Sequence, residues 1–448
     1  MNPVLNTTKS IPLGKLMLGT GSAALQIEGS LPRSTWHVYA EAGKVADGTS
    51  PEISTDHWNR WQEDSALMQE LHLQTARIGV DWARIEPELG KFDESALARY
   101  REEIDDLIAR RIHPLVTLHH FGHPLWFEAM GAFNKQENIK YFLEFVERVL
   151  AVLGPVVTDW VTINEPNVYV TQAYLFDYGP IVNGKSWKNL RLSLRNLAVA
   201  HIQTYELIHR VIDRAGRKAR VGFAHHMRVF EPLDPKNPLH KLFTKANEYL
   251  FHRQVEDAFY EGKFGPFLGK PKGVKRGKYC DFIGINYYSR TAVSGLDDGT
   301  FPGTPTNDLG WELYPDGIVI AAKSLHDRYG LPIWITENGT ADNSESGYVS
   351  GTITDDAAPG SRVEKFRCGF ILDHLRAILE SDLPFERYYH WCFVDNWEWS
   401  DGMEPQFGIV HLDLDTMART PKPSAFMMRD IIDAGAITPE IEAKYRES

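Results

Sequence analysis

Residues 93–118 read DESALARYREEIDDLIARRIHPLVTL, and this stretch predicts a helix followed by a buried strand. In its first part, apolar residues recur at the spacing of one helical face. That face consists of Leu97, Tyr100, Ile104, Leu107 and Ile108. Asp93 directly precedes the pattern and is a suitable N-cap. The apolar run Pro114–Leu118 then has the length of a strand buried on both faces, so the stretch indicates one unit of an α/β fold.

A second helix is predicted in NKQENIKYFLEFVERVLAVLG, residues 134–154. Asn134 is the expected N-cap, and Gly154 followed by Pro155 is the expected end. The apolar stripe between them consists of Phe142, Val146, Val149 and Leu153. Helical patterns of this kind separate short apolar runs along the chain.

Eight apolar runs alternate with these patterns, which predicts a parallel sheet with covering helices. The predicted strands are Leu16–Gly19, Thr75–Val80, Pro114–Leu118, Trp160–Ile163, Val221–Ala224, Phe282–Tyr287, Pro332–Thr336 and Tyr388–Phe393. Eight strands close a (β/α)8 barrel, and an open doubly wound sheet is the alternative. We expect one α/β domain over residues 1–448, a single (β/α)8 TIM barrel with extended loops at its C-terminal face. Reactive residues are then expected at the C-terminal ends of several strands.

Composition excludes several classes of partner. The 448 residues carry a formal net charge of −12 without a block of Lys or Arg, so nucleic acid is not an expected partner. No apolar stretch approaches the length of a membrane span, and no membrane partner is expected. The chain has only three cysteines, and its first residues lack the apolar core of a signal peptide. We therefore expect buried, reduced thiols and a cytoplasmic protein of undetermined oligomeric state.

Two predicted strands end in a glutamate. The fourth runs into TINEP with Glu165, and the seventh runs into ITENG with Glu337. One such glutamate is often only solvated or caps the next helix, but two at one barrel mouth are the minimum that cleavage of a glycosidic bond requires. Aromatic residues make up 12% of the chain, and HWCFVDNWEWSDG (390–402) interleaves tryptophans with carboxylates. Flat ring faces beside hydrogen-bond acceptors suit a sugar.

These segments resemble glycoside hydrolase family 1, the retaining β-glucosidase and β-galactosidase family, nearly from end to end. The matching segments, in order, are LMLGTGSAALQIEG, ARIGVDWARIEPELGKFDESALARY, LVTLHHFGHP, WVTINEP, FIGINYYS, GWELYPDGI, WITENG and WCFVDNWEWSDGMEPQFG. The resemblance implies a TIM barrel that hydrolyses terminal non-reducing β-D-glycosyl residues. β-Glucosides are the expected substrates, with β-galactosides and β-fucosides as side substrates, and the implied route passes through a covalent glycosyl-enzyme. The implied partner is a small β-glycoside or oligosaccharide.

By this resemblance Glu165 is the general acid/base and Glu337 is the nucleophile. Arg77, near the mouth of the second strand, would hold Glu337 ionised through its charge, and the Tyr288 hydroxyl would add a hydrogen bond. Glu165 has no comparable cation in its motif, and an ionised Glu337 beside it opposes its deprotonation. We therefore expect a raised pKa for Glu165, as suits a general acid.

The resemblance also implies a set of sugar contacts. Asn164 matches the residue that binds the 2-hydroxyl, and Trp311 matches an aromatic flank of the aglycone entrance. The other implied sugar contacts are Gln26, His120, Trp391, Glu398, Trp399 and Phe407. Asn286 and Tyr288 share strand parity, so both are expected to face the site while Tyr287 packs in the core.

A cofactor is suggested at first sight by GTGSAALQIEG (19–29), which is close to the phosphate-binding turn of dinucleotide-binding domains. Gly29 and Pro32 would break the helix that such a site needs, and no acidic residue follows at the end of a second strand. We therefore expect no nicotinamide or flavin. The small residues instead let the first strand turn tightly and present Gln26 to sugar hydroxyls.

A metal is suggested by HHFGH, but the adjacent His119 and His120 would face opposite sides of a strand and no acidic ligand motif accompanies them. No metal is expected.

Some residues depart from the family pattern, and among them Phe121 and Gly122 stand where the family usually has Trp and Asp. Phe121 cannot donate the indole hydrogen bond, which leaves the preferred sugar open. It also resembles the 6-phospho-β-glycosidase branch, but Glu398 and Glu404 would repel a phosphate dianion, so that alternative is disfavoured. A transglycosylase of the same family remains an alternative.

Overall fold

Eight parallel strands close into a barrel, in which each strand pairs with the next along the chain and the last pairs with the first. The computed structural model describes residues 9–176, 185–295, 299–342 and 365–446. The barrel strands are β1 (Met17–Gly21), β2 (Thr75–Gly79), β3 (His113–Thr117), β4 (Asp159–Asn164), β5 (Arg220–Pro232), β6 (Ile283–Val293), β7 (Ile333–Asn338) and β8 (Phe385–Trp391). The predicted (β/α)8 barrel is confirmed, and the pairing of β8 with β1 excludes an open sheet.

Helices surround the barrel. The main ones are α1 (His57–Glu70), α2 (Glu94–Ala109), α3 (Ile139–Leu153), α4 (Trp187–Ile212), α5 (Gln254–Glu261), α6 (Asp316–Tyr329), α7 (Lys365–Leu379) and α8 (Pro423–Ala434). Further short helices are Ala24–Ile27, Thr35–Glu41, Trp82–Ile85, Leu125–Ala129, Pro166–Thr171, Pro238–Asn247 and Pro439–Tyr445. Short 3-10 and π segments are Ala132–Asn134, Gln136–Asn138, Gln172–Phe176, Asp213–Ala215, Glu248–Arg253 and Trp399–Asp401. Two small antiparallel pairs join Ile11–Pro12 to Ala436–Ile437 and Val410–Leu412 to Arg419–Pro421.

Helix α2 forms as its sequence predicts. The Asp93 carboxylate accepts hydrogen bonds from the backbone N–H groups of Ser95 and Ala96, which confirms the N-cap. Leu97, Tyr100, Ile104 and Leu107 are buried against the core. Ile108 was wrongly included in this face, because its side chain is 41% exposed at the edge of the apolar stripe.

Helix α3 buries its predicted stripe, but the prediction of its start was wrong. The helix begins at Ile139, and Asn134 ends a separate 3-10 turn instead of capping it. The Asn134 side chain is used elsewhere, since it donates to the Tyr174 hydroxyl and accepts from the Ser193 hydroxyl. Gly154 follows the last helical residue, as predicted.

Strands β5 and β6 extend well beyond the apolar runs that predict them. They pair with each other as far as Pro232 and Val293, with a register shift between Met227 and Val229. This extension carries polar residues of both strands past the apolar core, toward the C-terminal end of the barrel. The side chains that face the site from this pair of strands are therefore held by paired strands that contain an irregularity.

The barrel interior below the site is apolar. Side chains from six consecutive barrel segments form one buried cluster, which comprises Leu115, Val161, Ala224, Phe282, Trp334 and Tyr389. The rings of Phe282 and Trp334 stack with centroids 3.8 Å apart. The interior is therefore a packed core, which leaves the C-terminal mouth as the place for a ligand.

The glycines of β1 are required by packing. A Cβ atom on Gly19 would lie 1.8 Å from the carbonyl oxygen of Thr75, and one on Gly21 would lie 3.2 Å from the Trp391 ring. The helix that follows, Ala24–Ile27, is only four residues long. The GTGSAA segment therefore brings β1 close to β2 and to Trp391, as expected of residues that are small for steric reasons.

The three cysteines, Cys280, Cys368 and Cys392, are free and buried, which confirms the burial predicted for Cys280 and Cys392. Among the described helices, none combines the length and apolar character that a membrane crossing requires.

We predict that Gly19→Ala destabilises the barrel by more than about 3 kcal/mol, because the new methyl group would overlap a backbone oxygen that cannot rotate away. The matched control is Gly369→Ala in α7, where a Cβ meets no atom within 4 Å. That change should stabilise the helix by about 0.5–1 kcal/mol. Denaturant unfolding followed by circular dichroism measures both changes, and equal stability of the two variants would contradict the steric account.

Candidate active site

A cavity of about 350 Å³ opens at the C-terminal ends of the barrel strands. Nine of the side chains expected in the site line it: His120, Glu165, Tyr288, Trp311, Glu337, Trp391, Glu398, Trp399 and Phe407. Asn286 and Tyr288 both point toward the two carboxylates, whereas the Tyr287 hydroxyl donates to the carbonyl of Tyr314 in the surrounding shell. The strand-parity prediction for these three residues is confirmed.

The two glutamates lie at the C-terminal ends of β4 and β7, which are separated in the barrel by β5 and β6. Glu165 directly follows β4 and takes a left-handed backbone conformation with φ of 41°, which turns the chain into the helix Pro166–Thr171. Glu337 is the second-last residue of β7 and pairs in register with Asn286 of β6. Both carboxylates are buried, and both border the same cavity.

Glu337 is held by one cation and one hydroxyl group. The Arg77 guanidinium donates from Nη1 to Oε1 at 2.5 Å, and the Tyr288 hydroxyl donates to Oε2 at 2.7 Å. Arg77 is itself fully buried, so water does not screen its charge from the carboxylate. Both oxygens of Glu337 are therefore oriented by donors that favour the anion.

Glu165 is held by two donors on a single oxygen. His226 Nδ1 lies 2.8 Å from Oε1, and the Asn286 amide donates to the same Oε1 at 2.8 Å. The sequence analysis missed His226. It lies on β5, two residues after Ala224, where the predicted strand ended. Residues just beyond the predicted strand ends are the signal that found the two glutamates, and the same signal applied to β5 points to His226.

Asn164 joins the surroundings of the two carboxylates. Its Oδ1 accepts from Arg77 Nη2 at 2.6 Å and from the Asn286 amide at 3.0 Å. Its own amide donates to His120 Nε2 at 2.8 Å. A substrate group that contacts Asn164 is thus connected through single hydrogen bonds to residues that touch Glu165 and Glu337.

The pKa values are shifted in the opposite sense to the sequence-based expectation. Burial raises the pKa of Glu337 to about 7, with the charge of Glu165 adding to the rise and Arg77 and Tyr288 opposing it. Burial also raises the pKa of Glu165, but the contacts with His226 and Asn286, together with Arg77, outweigh it and hold the value below the ordinary one. The expectation of a raised pKa at Glu165 was therefore wrong, because it left out His226. The pair keeps one proton up to about neutral pH.

Trp391 and Glu398, two of the residues predicted to contact a sugar, line the cavity. The Trp391 indole N–H donates to Glu398 Oε1 at 3.2 Å. Burial raises the pKa of Glu398 to about 8, against the hydrogen bond from Trp391. Gln26 is fully buried and does not line the cavity wall. Its Nε2 donates to Asn396 Oδ1 and to the carbonyl of Trp397, while its Oε1 accepts no hydrogen bond from the described residues. A role for Gln26 in sugar binding stays a prediction.

Phe121 lines the cavity in the place where the family pattern has tryptophan, and its ring lies 5.1 Å from that of Trp399. A Cβ on Gly122 would lie 2.8 Å from Leu25 Cδ1, so Leu25 takes the space that a larger residue would need. The outer part of the cavity was not predicted beyond Trp311, and it is mixed in character. Its further lining residues include Val168, Gln172, Arg228, Ser289, Arg290 and Thr291.

The histidines of HHFGH separate as expected. His120 faces the cavity, whereas His119 is buried and stacks on His123 with ring centroids 6.0 Å apart. Within the described residues, no group of three or more His, Cys, Asp or Glu side chains is arranged to hold a metal ion.

Buried paired carboxylates among aromatic walls, at the C-terminal mouth of an eight-stranded barrel, are the arrangement of a glycoside-cleaving enzyme. The family model of Glycosyl hydrolase family 1 matches residues 8–436, and the chain belongs to that family.

Individual relatives agree with this assignment. A β-glycosidase from Pyrococcus horikoshii has a similar structure, with a TM-score of 0.82 and 31% identity over 98% of this chain and 99% of that one. β-Glucosidase A from Acetivibrio thermocellus is 28% identical over 92% of this chain and 96% of its own length. A Thermotoga maritima β-glucosidase solved with galacto-hydroximolactam has a TM-score of 0.82 and 25% identity, covering 94% and 98% of the two chains. The chain is a β-glycosidase, a glycoside hydrolase of the type that these enzymes represent.

We predict that kcat/KM for a nitrophenyl β-glucoside falls above about pH 7, since burial raises the pKa of Glu337 to about 7. Below that pH the carboxylate pair holds one proton that can be transferred to a leaving group, and above it the pair is doubly ionised and has none. A pH–rate profile at constant ionic strength measures this limb.

Glu398→Gln is the control for that profile, because Glu398 lines the same cavity and burial raises its pKa to about 8. This variant should bind substrate less well and keep the basic limb in place. A basic limb about two pH units above 7 in the unmodified enzyme would contradict the interpretation that the two carboxyl groups share one proton.

Proposed function

We propose that the chain is a retaining β-glycosidase that removes terminal non-reducing β-D-glucosyl residues. β-D-Galactosides and β-D-fucosides are its proposed side substrates, and residues 1–448 form its one catalytic domain. The names of the relatives support glucosides first. The galacto-configured ligand in the Thermotoga maritima β-glucosidase supports the proposal that either configuration of the 4-hydroxyl is accepted. The three buried free thiols agree with a cytoplasmic location, which we also propose.

The proposed first step is glycosylation of Glu337. Its carboxylate attacks the anomeric carbon while the bond from that carbon to the aglycone oxygen breaks, and the aglycone oxygen takes a proton from Glu165. The positive charge of Arg77 and the Tyr288 hydroxyl orient the attacking carboxylate. The leaving group departs as an alcohol. The ester formed on Glu337 is neutral, so Glu337 no longer carries a negative charge.

The proposed second step is hydrolysis of that ester. Glu165, now ionised and no longer opposed by the charge of Glu337, takes a proton from water as the water oxygen attacks the anomeric carbon. The low pKa that His226 and Asn286 maintain at Glu165 keeps the carboxylate available as the base. Two inversions at one carbon give net retention.

One observation carries these roles: the donors are distributed differently over the two carboxylates. Both oxygens of Glu337 accept hydrogen bonds, one of them from a buried cation. Glu165 receives both of its hydrogen bonds from described side chains on Oε1, so Oε2 is the oxygen that can hold and transfer a proton. Double displacement needs one carboxylate oriented as a nucleophile and a second carboxyl group that can give and take a proton.

The sugar ring is proposed to stack on Trp391, with Glu398 and Gln26 contacting the hydroxyls on its far side. Among the described residues on this side, Glu398 and Asp401 line the cavity, and no Lys or Arg occurs from position 398 to 407. A 6-phosphate would meet carboxyl groups there, so we propose unphosphorylated sugars as substrates.

We predict different losses for the two catalytic variants. Glu337→Gln should lower turnover of all glycosides by at least about a thousandfold, because no nucleophile remains. Glu165→Ala should lower kcat/KM about 10²–10⁴-fold for alkyl glycosides and far less for dinitrophenyl glycosides, whose leaving group needs no proton. Steady-state kinetics on a series of aglycones measures both.

The matched control is Glu386→Gln at the opposite end of the barrel, where Glu386 accepts a hydrogen bond from the Trp334 indole. It should retain the rate of the unmodified enzyme. Equal loss on activated and unactivated aglycones in Glu165→Ala would contradict the assignment of the acid.

The substrate proposal is tested with a panel of chromogenic β-D-glycosides that includes 6-phosphate forms, with the first-formed anomer followed by NMR. We expect fastest release from the glucoside and initial formation of the β-anomer. Preference for a phosphorylated sugar would refute the substrate class, and initial formation of the α-anomer would refute retention. Predominant transfer to an added alcohol at low concentration would identify a transglycosylase instead.

A further inference from the structure

His226 is the nearest titratable neighbour of Glu165 and was found only in the structure. It is buried on β5, and its ring lies parallel to that of Tyr288, with centroids 5.9 Å apart and an angle of 20°. Its Nδ1 lies 2.8 Å from Glu165 Oε1. A histidine in this position can donate to the carboxylate, accept from the protonated acid or carry a charge of its own, and these three states have different consequences.

Arg228 decides among these states. Its Nε donates to His226 Nε2 at 3.0 Å. An arginine N–H can only donate, so Nε2 must be an acceptor without a hydrogen. The single ring hydrogen is then on Nδ1, and the contact with Glu165 is an N–H group donating to Oε1.

The second donor to Glu165 has the same target. The Asn286 amide also ends on Oε1, and its own Oδ1 accepts from Thr336 Oγ1 at 2.6 Å, which fixes the amide orientation. With two N–H groups on Oε1, a proton on that oxygen would have to displace one of them. A proton on Oε2 meets no such competition from the described residues.

We propose that His226 is a positioning residue for the acid/base: held as the Nδ1–H form by Arg228, it occupies Oε1 of Glu165 and leaves Oε2 as the oxygen that gives and takes the proton. This inference rests on the proposed function, in which Glu165 is the acid/base. It assigns a role on the reaction path to a side chain that supplies no atom to the products. His226 also favours the ionised form, because hydrogen bonds to a carboxylate stabilise its charge.

Charged and titratable groups from several strands surround this contact. These groups are Glu165 after β4, Arg228 and His225 on β5, Tyr288 on β6, Arg77 on β2 and Glu337 on β7. Among them, only Arg228 and Glu165 have a hydrogen bond to the His226 ring within the described part of the chain.

The test replaces the imidazole ring of His226 with an aromatic ring that has no nitrogen atoms. His226→Phe keeps an aromatic ring against Tyr288 and removes the donor. Loss of one hydrogen bond to the carboxylate should move the basic limb of kcat/KM up by about one pH unit. The rate on alkyl glycosides should fall about tenfold, and that on dinitrophenyl glycosides should change less than about twofold, because only the former need the proton delivered.

Rescue and control variants separate positioning from packing. His226→Asn places an amide N–H near the position of Nδ1 and should return the limb to within about 0.3 unit of the unmodified enzyme. His225→Phe is the matched control, because His225 is the neighbouring buried histidine on β5 and burial holds its pKa well below the ordinary value. It should leave the limb and the leaving-group dependence unchanged.

A direct measurement covers the case in which His226→Phe does not fold. The ¹⁵N spectrum of histidine-labelled enzyme, with the His226 signals assigned by their loss in His226→Asn, should show a neutral ring protonated on Nδ1. A ring protonated on Nε2, or an unchanged pH limb in folded His226→Phe, would overturn the inference. If Glu165→Ala shows no leaving-group dependence, the proposed function fails instead, whatever the state of His226.

Discussion

The buried guanidinium of Arg77 is the interaction on which the rest of the site depends. It donates to the Thr117 hydroxyl on β3, to Asn164 at the end of β4, and to Glu337 on β7. One side chain from β2 therefore ties three other strands together at the mouth of the barrel. Removing one partner of a buried ion pair costs about 3–5 kcal/mol, because the other charge is left uncompensated. The same contacts thus stabilise the closed barrel and fix the carboxylate that is proposed to attack the sugar.

From this centre the chemistry divides between two carboxylates with different donors. Glu337 is oriented through both oxygens, whereas Glu165 is oriented through one, and His226 and Asn286 share that oxygen. Burial and mutual repulsion make the pair retain one proton near neutrality. In the proposed mechanism, formation of a sugar ester on Glu337 removes one of the two charges, and this change lets Glu165 act first as acid and then as base.

The sequence predicts the barrel well because strands and helices have separate periodicities, and the two glutamates because strand ends are where such folds place chemistry. Ends of elements are less well predicted. Asn134 looks like an N-cap, but its side chain binds Tyr174 and Ser193, and the helix starts at Ile139. His226 was missed for a related reason, because pairing with β6 extends β5 beyond the apolar run from which the strand was predicted. The contact with His226 lowers the pKa of Glu165, so the order of the two pKa values is the reverse of the one that the sequence predicts.

The central claim is that Glu337 forms a covalent bond to the sugar while Arg77 and Tyr288 hold it in place. The most direct test is incubation with dinitrophenyl 2-deoxy-2-fluoro-β-D-glucoside, followed by proteolysis and mass spectrometry. The fluoroglucosyl ester that this reagent leaves on the enzyme hydrolyses slowly. The account predicts one fluoroglucosyl group per chain on the peptide that contains Glu337, with inactivation that a competing glucoside slows. A label on another residue, or turnover without any covalent label together with an inverted product, would contradict it.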